Sequence, residues 1–308
     1  MSDSTRRSFI SSAISAGAAV SAGSLIGAAA SSAGIAAPAG ELLNLSAMPY
    51  RQDDPRWGKK LMWDRKEVVK VARDFNDETR ADANSLLYPY KDGNTIANEG
   101  CMLSCLAMVL KLLAPPAKPS WNPGTLNRAA QDAYYYTRSG LSMVTLYPDL
   151  VSEMSEGHVG LAMSQDYLPG VKGWRRIYAN SSPLVRAYRS LTPAQRSNYL
   201  VMIKTGTYDD TAASHYALLH PNSEQSADEA DAVLLDPAEP RSHKGDWTMT
   251  DSAKWIGQEP QIKRDWAKAG IQPTQIGGAW IFSRWDKTTG APLVGPLVQS
   301  WSQQLAAG

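Results

Sequence analysis

The segment NEGCMLSCLAMVL, residues 98–110, contains both cysteines of the chain, Cys101 and Cys105. It is apolar nearly all round and continues to a proline pair, a pattern typical of a buried helix with a defined end. Gly100 comes directly before the first thiol. A helix N-terminus favours the reactive thiolate form of a cysteine, and a preceding glycine leaves room for a substrate backbone and permits unusual dihedral angles. The segment therefore predicts a buried helix that begins at a candidate nucleophile, Cys101.

The second thiol, Cys105, lies one turn further into the predicted helix, where we expect it to be a small packing residue. On such a helix its Cβ atom would be about 5–6 Å from that of Cys101. A disulfide prefers a Cβ separation of about 3.5–4.5 Å. We therefore expect two thiols without a structural bridge between them.

Composition limits the class of protein. The chain has 308 residues, of which 43% are hydrophobic and 20% charged, as in an ordinary globular protein. Its net charge of +1 and pI near 7.7 give no electrostatic signature of a nucleic-acid or anionic-membrane partner. We expect neither partner.

The first 39 residues have the organisation of an export signal. Arg6 and Arg7 precede a long Ala/Gly/Ser stretch that ends in APAG, and paired arginines in this position resemble a twin-arginine signal. The stretch is too poor in strongly apolar residues for a transmembrane anchor. We expect cleavage near Ala39, transport by the twin-arginine export machinery, no stable membrane insertion afterwards, and a periplasmic or extracellular location.

Residues 40–308 are expected to form a single domain with insertions near 60–95 and 240–275. Helical patterns come first and short apolar runs bounded by Gly, Asp, Asn and Pro come later. This order predicts an α+β fold whose helical part packs on one side of an antiparallel sheet. The predicted helices cover 63–83 (where a strand is also possible), 101–113, 123–136 and the segment PDLVSEM. The predicted strands cover 199–206, 215–221, 232–237 and 278–285.

A catalytic thiol needs an imidazole nearby, and the chain has only four histidines. His158 and His243 lie in loop-like segments. His215 and His220 begin and end one apolar run, and because they are five positions apart they face opposite sides of a strand. His215 follows a polar loop and so suits the edge of a cleft, although a structural role explains it equally well.

Two further polar residues fit a catalytic site. Asp236 ends the run AVLLDP, where its carboxylate could orient a histidine ring, although aspartates often end strands in turns. Gln52, in MPYRQDDPRWG, has a side-chain amide that could donate to the oxyanion of an acyl-transfer intermediate. An exposed turn residue is the alternative for Gln52.

Taken in order, MPYRQDDPRWG, EGCMLSCLAMVL, SHYALLH and LLDP resemble the signature blocks of bacteriocin-leader-processing papain-like peptidases (cysteine peptidase family 39 and its stand-alone relatives). The resemblance covers much of residues 48–237. It implies a papain-like α+β fold, with Cys101 as nucleophile, His215 as general base and acid, Asp236 as its orienting group and Gln52 in the oxyanion hole. The implied activity is hydrolysis of a peptide or amide bond in a peptide or protein substrate.

Two alternatives remain open at this point. The same four residues could transfer the acyl group elsewhere, as in transpeptidation, deamidation or cross-linking. The fold could also be a non-enzymatic module that binds peptide or glycan. No cofactor or metal is expected, because the chain has no H-E-x-x-H motif and no Cys/His spacing of the zinc type.

Overall fold

A computed structural model of the chain describes residues 42–62, 95–116, 120–133, 135–137, 140–141, 147–164, 187–188, 190–205, 215–223, 225–226, 228–286 and 291–292. All of them belong to one unit, Ala39–Gly308. The predicted export signal, the predicted helix at 63–83 and most of the insertion near 60–95 lie outside the described residues. Within the described part, no helix is both long and apolar enough to cross a membrane.

The fold combines helices with antiparallel strands, which confirms the predicted α+β class. The helices are α1 (Ile96–Glu99), α2 (Cys101–Leu113), α3 (Pro123–Asp132), α4 (Tyr147–Met154), α5 (Pro193–Arg196), α6 (Met249–Ile256) and α7 (Pro260–Ala269), with a 3₁₀ turn at Glu229–Asp231. The strands are β1 (Tyr136–Thr137), β2 (Gly140–Leu141), β3 (Val159–Ser164), β4 (Tyr199–Thr205), β5 (His215–Leu219), β6 (Leu234–Leu235), β7 (Ile276–Asp286) and β8 (Ala291–Pro292).

Helix α2 is the central buried element. All of its residues from Met102 to Leu110 are buried, and Lys111 is its exposed residue near the end. The helix ends because Ala114 is in an extended conformation (φ −75°, ψ 153°), as expected for a residue that precedes a proline. Both predicted ends of α2 are thus confirmed.

The main sheet places β5 between β4 and β6. Its described strands run in the order β3–β7–β4–β5–β6, with β8 paired to β7, and all of these pairings are antiparallel. In the register of β5 with β6, Leu219 lies opposite Leu234 and Leu218 opposite Leu235. Strands β1 and β2 form a separate hairpin.

Both faces of the sheet are buried, which differs from the expected packing on one side. Alternate residues of β4 point into two cores: Leu200 and Met202 pack with α2, whereas Val201 and Ile203 pack with Tyr188 and its neighbours. A continuous apolar run such as YLVMI is typical of a strand covered on both faces. Part of the second face is covered by residues of the predicted 240–275 insertion, which contains α6 and α7 between β6 and β7.

Candidate active site

The structure places three predicted site residues at the ends of elements and the fourth in a turn. Cys101 is the first residue of α2 and His215 the first residue of β5. Asp236 directly follows β6, and Gln52 lies in the turn-rich segment before α1. Polar side chains from different parts of the chain can meet at the ends of elements and in turns, so all four positions suit a site.

His215 and Asp236 form the best-defined contact of the site. The Leu219–Leu234 register puts Asp236 opposite Ala217, and therefore diagonally across from His215 on the same face of the sheet. The two side chains meet at 2.6 Å between His215 Nε2 and Asp236 Oδ1. The pairing predicted from sequence is thus present, and β-strand alternation explains it.

The Asp236 carboxylate is fully buried, and both of its oxygens accept hydrogen bonds. Besides His215, Oδ1 accepts the backbone N–H of Ala238 at 2.7 Å, and Oδ2 accepts the indole N–H of Trp247 at 3.0 Å. Burial by itself raises the pKa of this carboxyl, but the charge and hydrogen bond of His215, together with the Ala238 amide, lower it below its ordinary value. Asp236 is therefore a buried anion.

The His215 ring lies between Asp236 and Cys101. Burial disfavours the charged ring, but the Asp236 carboxylate and a hydrogen bond with Cys101 outweigh burial and raise the pKa of His215 to about 10. Because Nε2 contacts Asp236, Nδ1 is the nitrogen left for the thiol. A histidine with these neighbours is an imidazolium at neutral pH. The protonated ring contacts the Asp236 carboxylate on one side and the Cys101 sulfur on the other.

The two cysteines occupy different environments, and neither forms a disulfide. Cys101 is half-buried, whereas Cys105 is fully buried in the core around α2. Burial, with smaller contributions from the charges of Cys101 and Asp236, raises the pKa of the Cys105 thiol well above its usual range. Cys105 is accordingly a packing residue, and Cys101 is the thiol that faces the histidine.

Gly100 is required for a different reason from the one expected. Its backbone conformation is ordinary (φ −84°, ψ 16°), so the expectation of unusual dihedral angles was wrong. A Cβ atom at this position would lie 2.5 Å from both Cγ2 and the carbonyl oxygen of Ile96. The absence of a side chain lets Gly100 approach Ile96 closely at the junction of α1 and α2, directly before Cys101.

Gln52 connects the two halves of the site. Its side-chain Nε2 donates to the carbonyl of Ala97 at 2.7 Å, and its backbone N–H donates to the carbonyl of Pro237 at 3.0 Å. Ala97 lies in α1, which leads to Cys101, and Pro237 follows Asp236. The Gln52 side chain is only partly exposed, and its buried Oε1 accepts no hydrogen bond from a described residue. Gln52 is thus held beside the site rather than exposed in a free turn.

Sequence reasoning missed two groups that support the site. Trp247 holds Asp236, and Arg51 donates to the backbone carbonyl of Glu239 at 2.7 Å while forming an ion pair with its carboxylate at 3.2 Å. Arg51 and Glu239 are 188 positions apart, and Trp247 and Asp236 are 11 positions apart across a loop, so no local pattern indicates either contact. The sequence does signal that a helix follows Trp247, because Thr248 and Asp251 form a capping box.

His220 and His243 form their hydrogen bonds with residues other than Cys101, His215 and Asp236. His220 Nδ1 accepts the backbone N–H of Ser223 at 3.0 Å, and burial lowers the pKa of its ring. The His243 ring packs edge-on against Trp247 at 4.7 Å. Among the residues that the structure describes, no group of three or more His, Cys, Asp or Glu side chains is arranged to hold a metal ion.

Comparison with known proteins adds no assignment. No protein-family model, no curated protein and no solved structure matches the chain.

Proposed function

We propose that the chain is an exported, papain-like thiol peptidase that hydrolyses a peptide or amide bond in a peptide or protein substrate. The observation that carries the proposal is the continuous chain Asp236–His215–Cys101 at the N-terminus of a buried helix. In this arrangement the thiol supplies the nucleophile, the imidazolium supplies a proton donor, and the buried carboxylate supplies the charge that orients the ring. The four sequence motifs that contain Gln52, Cys101, His215 and Asp236 occur in the order expected for this class of peptidase, which supports the same assignment.

In the proposed reaction, the Cys101 thiolate attacks the carbonyl carbon, a C–S bond forms, and the π electrons move to the carbonyl oxygen. The Cys101 backbone N–H and the second N–H of the Gln52 amide stabilise that oxyanion. Only one N–H of Gln52 is engaged by Ala97. When the tetrahedral intermediate collapses, the C–N bond breaks and His215 Nδ1 protonates the leaving amine.

The second half of the reaction restores the enzyme. His215, now neutral, takes a proton from water as the oxygen attacks the thioester, and the carboxylic acid product leaves as the C–S bond breaks. Asp236 keeps Nε2 protonated, so that Nδ1 is the nitrogen that exchanges protons. Amines or thiols in place of water would give transpeptidation or acyl transfer with the same residues.

The test compares the full chain with its Cys101→Ala and Cys105→Ala variants on a peptide mixture analysed by mass spectrometry. We expect new peptide fragments with the wild type and with Cys105→Ala, and none with Cys101→Ala. A gain of one dalton or a linked peptide would indicate deamidation or cross-linking instead. Equal turnover by the Cys101→Ala variant would contradict the proposal.

A further inference from the structure

A cavity of about 600 Å³ lies beside the segment that carries Gln52. This basic pocket is lined by the cationic residues Arg56, Lys60 and Lys111 and by the aromatic residues Tyr50, Trp57 and Trp121. Its volume is within the range of small-ligand sites. None of its described lining residues carries a carboxylate, and the proposed peptidase mechanism does not use the pocket.

The charge of the basic pocket comes from its two lysines. Arg56 is compensated, because its Nε and Nη2 each contact a carboxylate oxygen of Asp54 at 2.9 Å. Lys60 and Lys111 form no ion pair with any described carboxylate. Within the described part of the chain, Lys111 Nζ forms its hydrogen bond with a neutral group, the Ser120 hydroxyl, at 3.2 Å. The pocket therefore has a net positive charge that is open to an anionic ligand.

The aromatic side of the basic pocket is held rigidly. The rings of Tyr50 and Trp57 are buried and pack edge to face at 5.7 Å. The Tyr50 hydroxyl donates to the Trp121 carbonyl at 3.0 Å. The Trp121 indole N–H is buried and has no acceptor among the described residues, so the wall includes a hydrogen-bond donor without a partner.

One segment of the chain both lines the basic pocket and carries Gln52. The Trp57 indole donates to the carbonyl of Arg51 at 2.7 Å, next to Gln52. The Lys60 carbonyl accepts the backbone N–H of Ile96 at 3.0 Å, at the start of α1. The same short segment thus lines the pocket and contacts the helix that leads to Cys101.

We propose that the basic pocket binds a carboxylate of the peptide substrate, supplied by an acidic side chain or by the C-terminus. The lysine side chains attract the carboxylate of the peptide, and the aromatic rings contact the apolar part of the residue that carries this carboxylate. The proposal rests on the proposed function for the identity of the ligand as a peptide.

Binding is measured with the full-chain Cys101→Ala variant, so that no turnover is needed. The probes are fluorescently labelled Ala-Glu-Glu-Ala amide, Ala-Gln-Gln-Ala amide and Ala-Ala-Ala-Ala with a free C-terminal carboxylate. We expect at least one of the two anionic probes to bind more tightly than the neutral probe, and added salt to weaken that difference. The Glu-containing probe tests a side-chain source, and the free-carboxylate probe tests a C-terminal source.

The variant Lys60→Gln/Lys111→Gln, made in the same background, should weaken binding of the preferred anionic probe by about five- to twentyfold. All four lysines of the comparison are exposed, so folding is preserved. The matched control Lys263→Gln/Lys268→Gln, on α7, changes the net charge equally and should leave affinity unchanged. Equal binding of all three probes would overturn the proposal. It would also be overturned if Lys60→Gln/Lys111→Gln left the affinity for the anionic probe unchanged, or lowered it only as much as the control variant does.

The two proposals fail independently. Lysine-dependent binding without hydrolysis by the wild type would keep the basic pocket and reject the peptidase. Cysteine-dependent hydrolysis without any preference for anionic probes would keep the peptidase and reject the pocket.

Discussion

At the scale of single residues, the two cysteines show how position decides chemistry. They lie four positions apart on one helix, yet Cys101 is half-buried beside an imidazolium and Cys105 is wholly buried among apolar side chains. The Cys101 side chain is therefore accessible to a reagent or substrate, whereas burial raises the pKa of the Cys105 thiol well above its usual range.

We therefore predict that iodoacetamide labels Cys101 alone in the native chain. Cys101 is half-buried, whereas Cys105 is fully buried and the pKa of its thiol is raised well above the usual range. Mass spectrometry should find one label per native chain, two after denaturation at alkaline pH, and none in native Cys101→Ala. Labelling of Cys105 before Cys101 would contradict the assignment of the nucleophile.

The buried Asp236 gives the second residue-scale prediction. In Asp236→Asn, the amide oxygen can replace Oδ1, but the amide N–H₂ then faces the donor of Trp247. An unsatisfied buried donor costs about 1–3 kcal/mol of unfolding free energy, and we expect turnover to fall by about 10²-fold as His215 loses its charged partner.

Urea unfolding and peptide turnover measure these two effects. The double variant Asp236→Asn/Trp247→Phe lacks the indole donor. Its loss of unfolding free energy should therefore be smaller than the sum of the losses in the two single variants. Asp231→Asn, at an exposed position, is the control and should change unfolding free energy by less than about 0.5 kcal/mol. Additive single costs would mean that Trp247 does not hold Asp236.

At the scale of elements, the start of α2 is fixed by the close approach of Gly100 to Ile96. Only Gly100 separates α1 from α2, so its conformation decides where α2 begins and where Cys101 lies. An added methyl group would meet a backbone carbonyl at 2.5 Å, which a side-chain rotation cannot relieve.

Gly100→Ala should therefore shift the beginning of α2. We expect a loss of about 1–3 kcal/mol in unfolding free energy, as for other overpacked sites, together with reduced turnover. Urea unfolding and peptide cleavage are the measurements. Ile96→Ala in the same background removes Cγ2 but leaves the carbonyl oxygen, so it should restore activity only in part. Wild-type stability and turnover in Gly100→Ala would contradict this account.

Sequence patterns predicted the elements well where the signal is local. The bounds of α2, β4 and β5 follow from an apolar run with prolines, glycines or polar residues at its ends. Strand β3 was missed, because its small and polar residues give no clear alternation. The segment 240–275 was interpreted as decoration, yet it provides Trp247, since a contact with Asp236 leaves no trace in local sequence.

At the scale of the whole molecule, contacts around the candidate site join parts of the chain that are distant in sequence. Arg51 and Glu239, 188 positions apart, form an ion pair beside the Gln52–Pro237 hydrogen bond. The buried pair of Asp236 and His215 forms only in the folded chain, so its titration is coupled to global unfolding.

We predict a characteristic dependence of stability on pH. The pKa of His215 is raised from 6.5 to about 10 by folding, so its contribution is fully present below about pH 6.5 and is lost as pH rises through 10. The pKa of Asp236 is lowered from 3.8, so its contribution is present above about pH 4 and is lost as pH falls further. Stability from this pair should be greatest between about pH 4 and 6.5.

Urea unfolding of the wild type and of His215→Gln, at pH values from 4 to 10, measures this dependence. The difference in unfolding free energy between the two proteins should shrink by roughly 3–5 kcal/mol between pH 6.5 and 10, since each unit of pKa shift corresponds to about 1.4 kcal/mol. Because lysines and tyrosines titrate in both proteins, the comparison cancels their contributions. A difference that stays constant over this range would contradict a charged His215.

The sequence by itself determined the α+β class and the buried helix behind Gly100, because both leave a local pattern of apolar runs and breaks. It nominated the four polar residues of the candidate site, and Gln52 only through the order of the sequence motifs. Only the tertiary structure decided that His215 meets Asp236, that Trp247 and Gln52 hold the two sides of the site, and that lysines gather around an aromatic wall. Strand register and long-range packing create those contacts, and neither is encoded in a short stretch of residues.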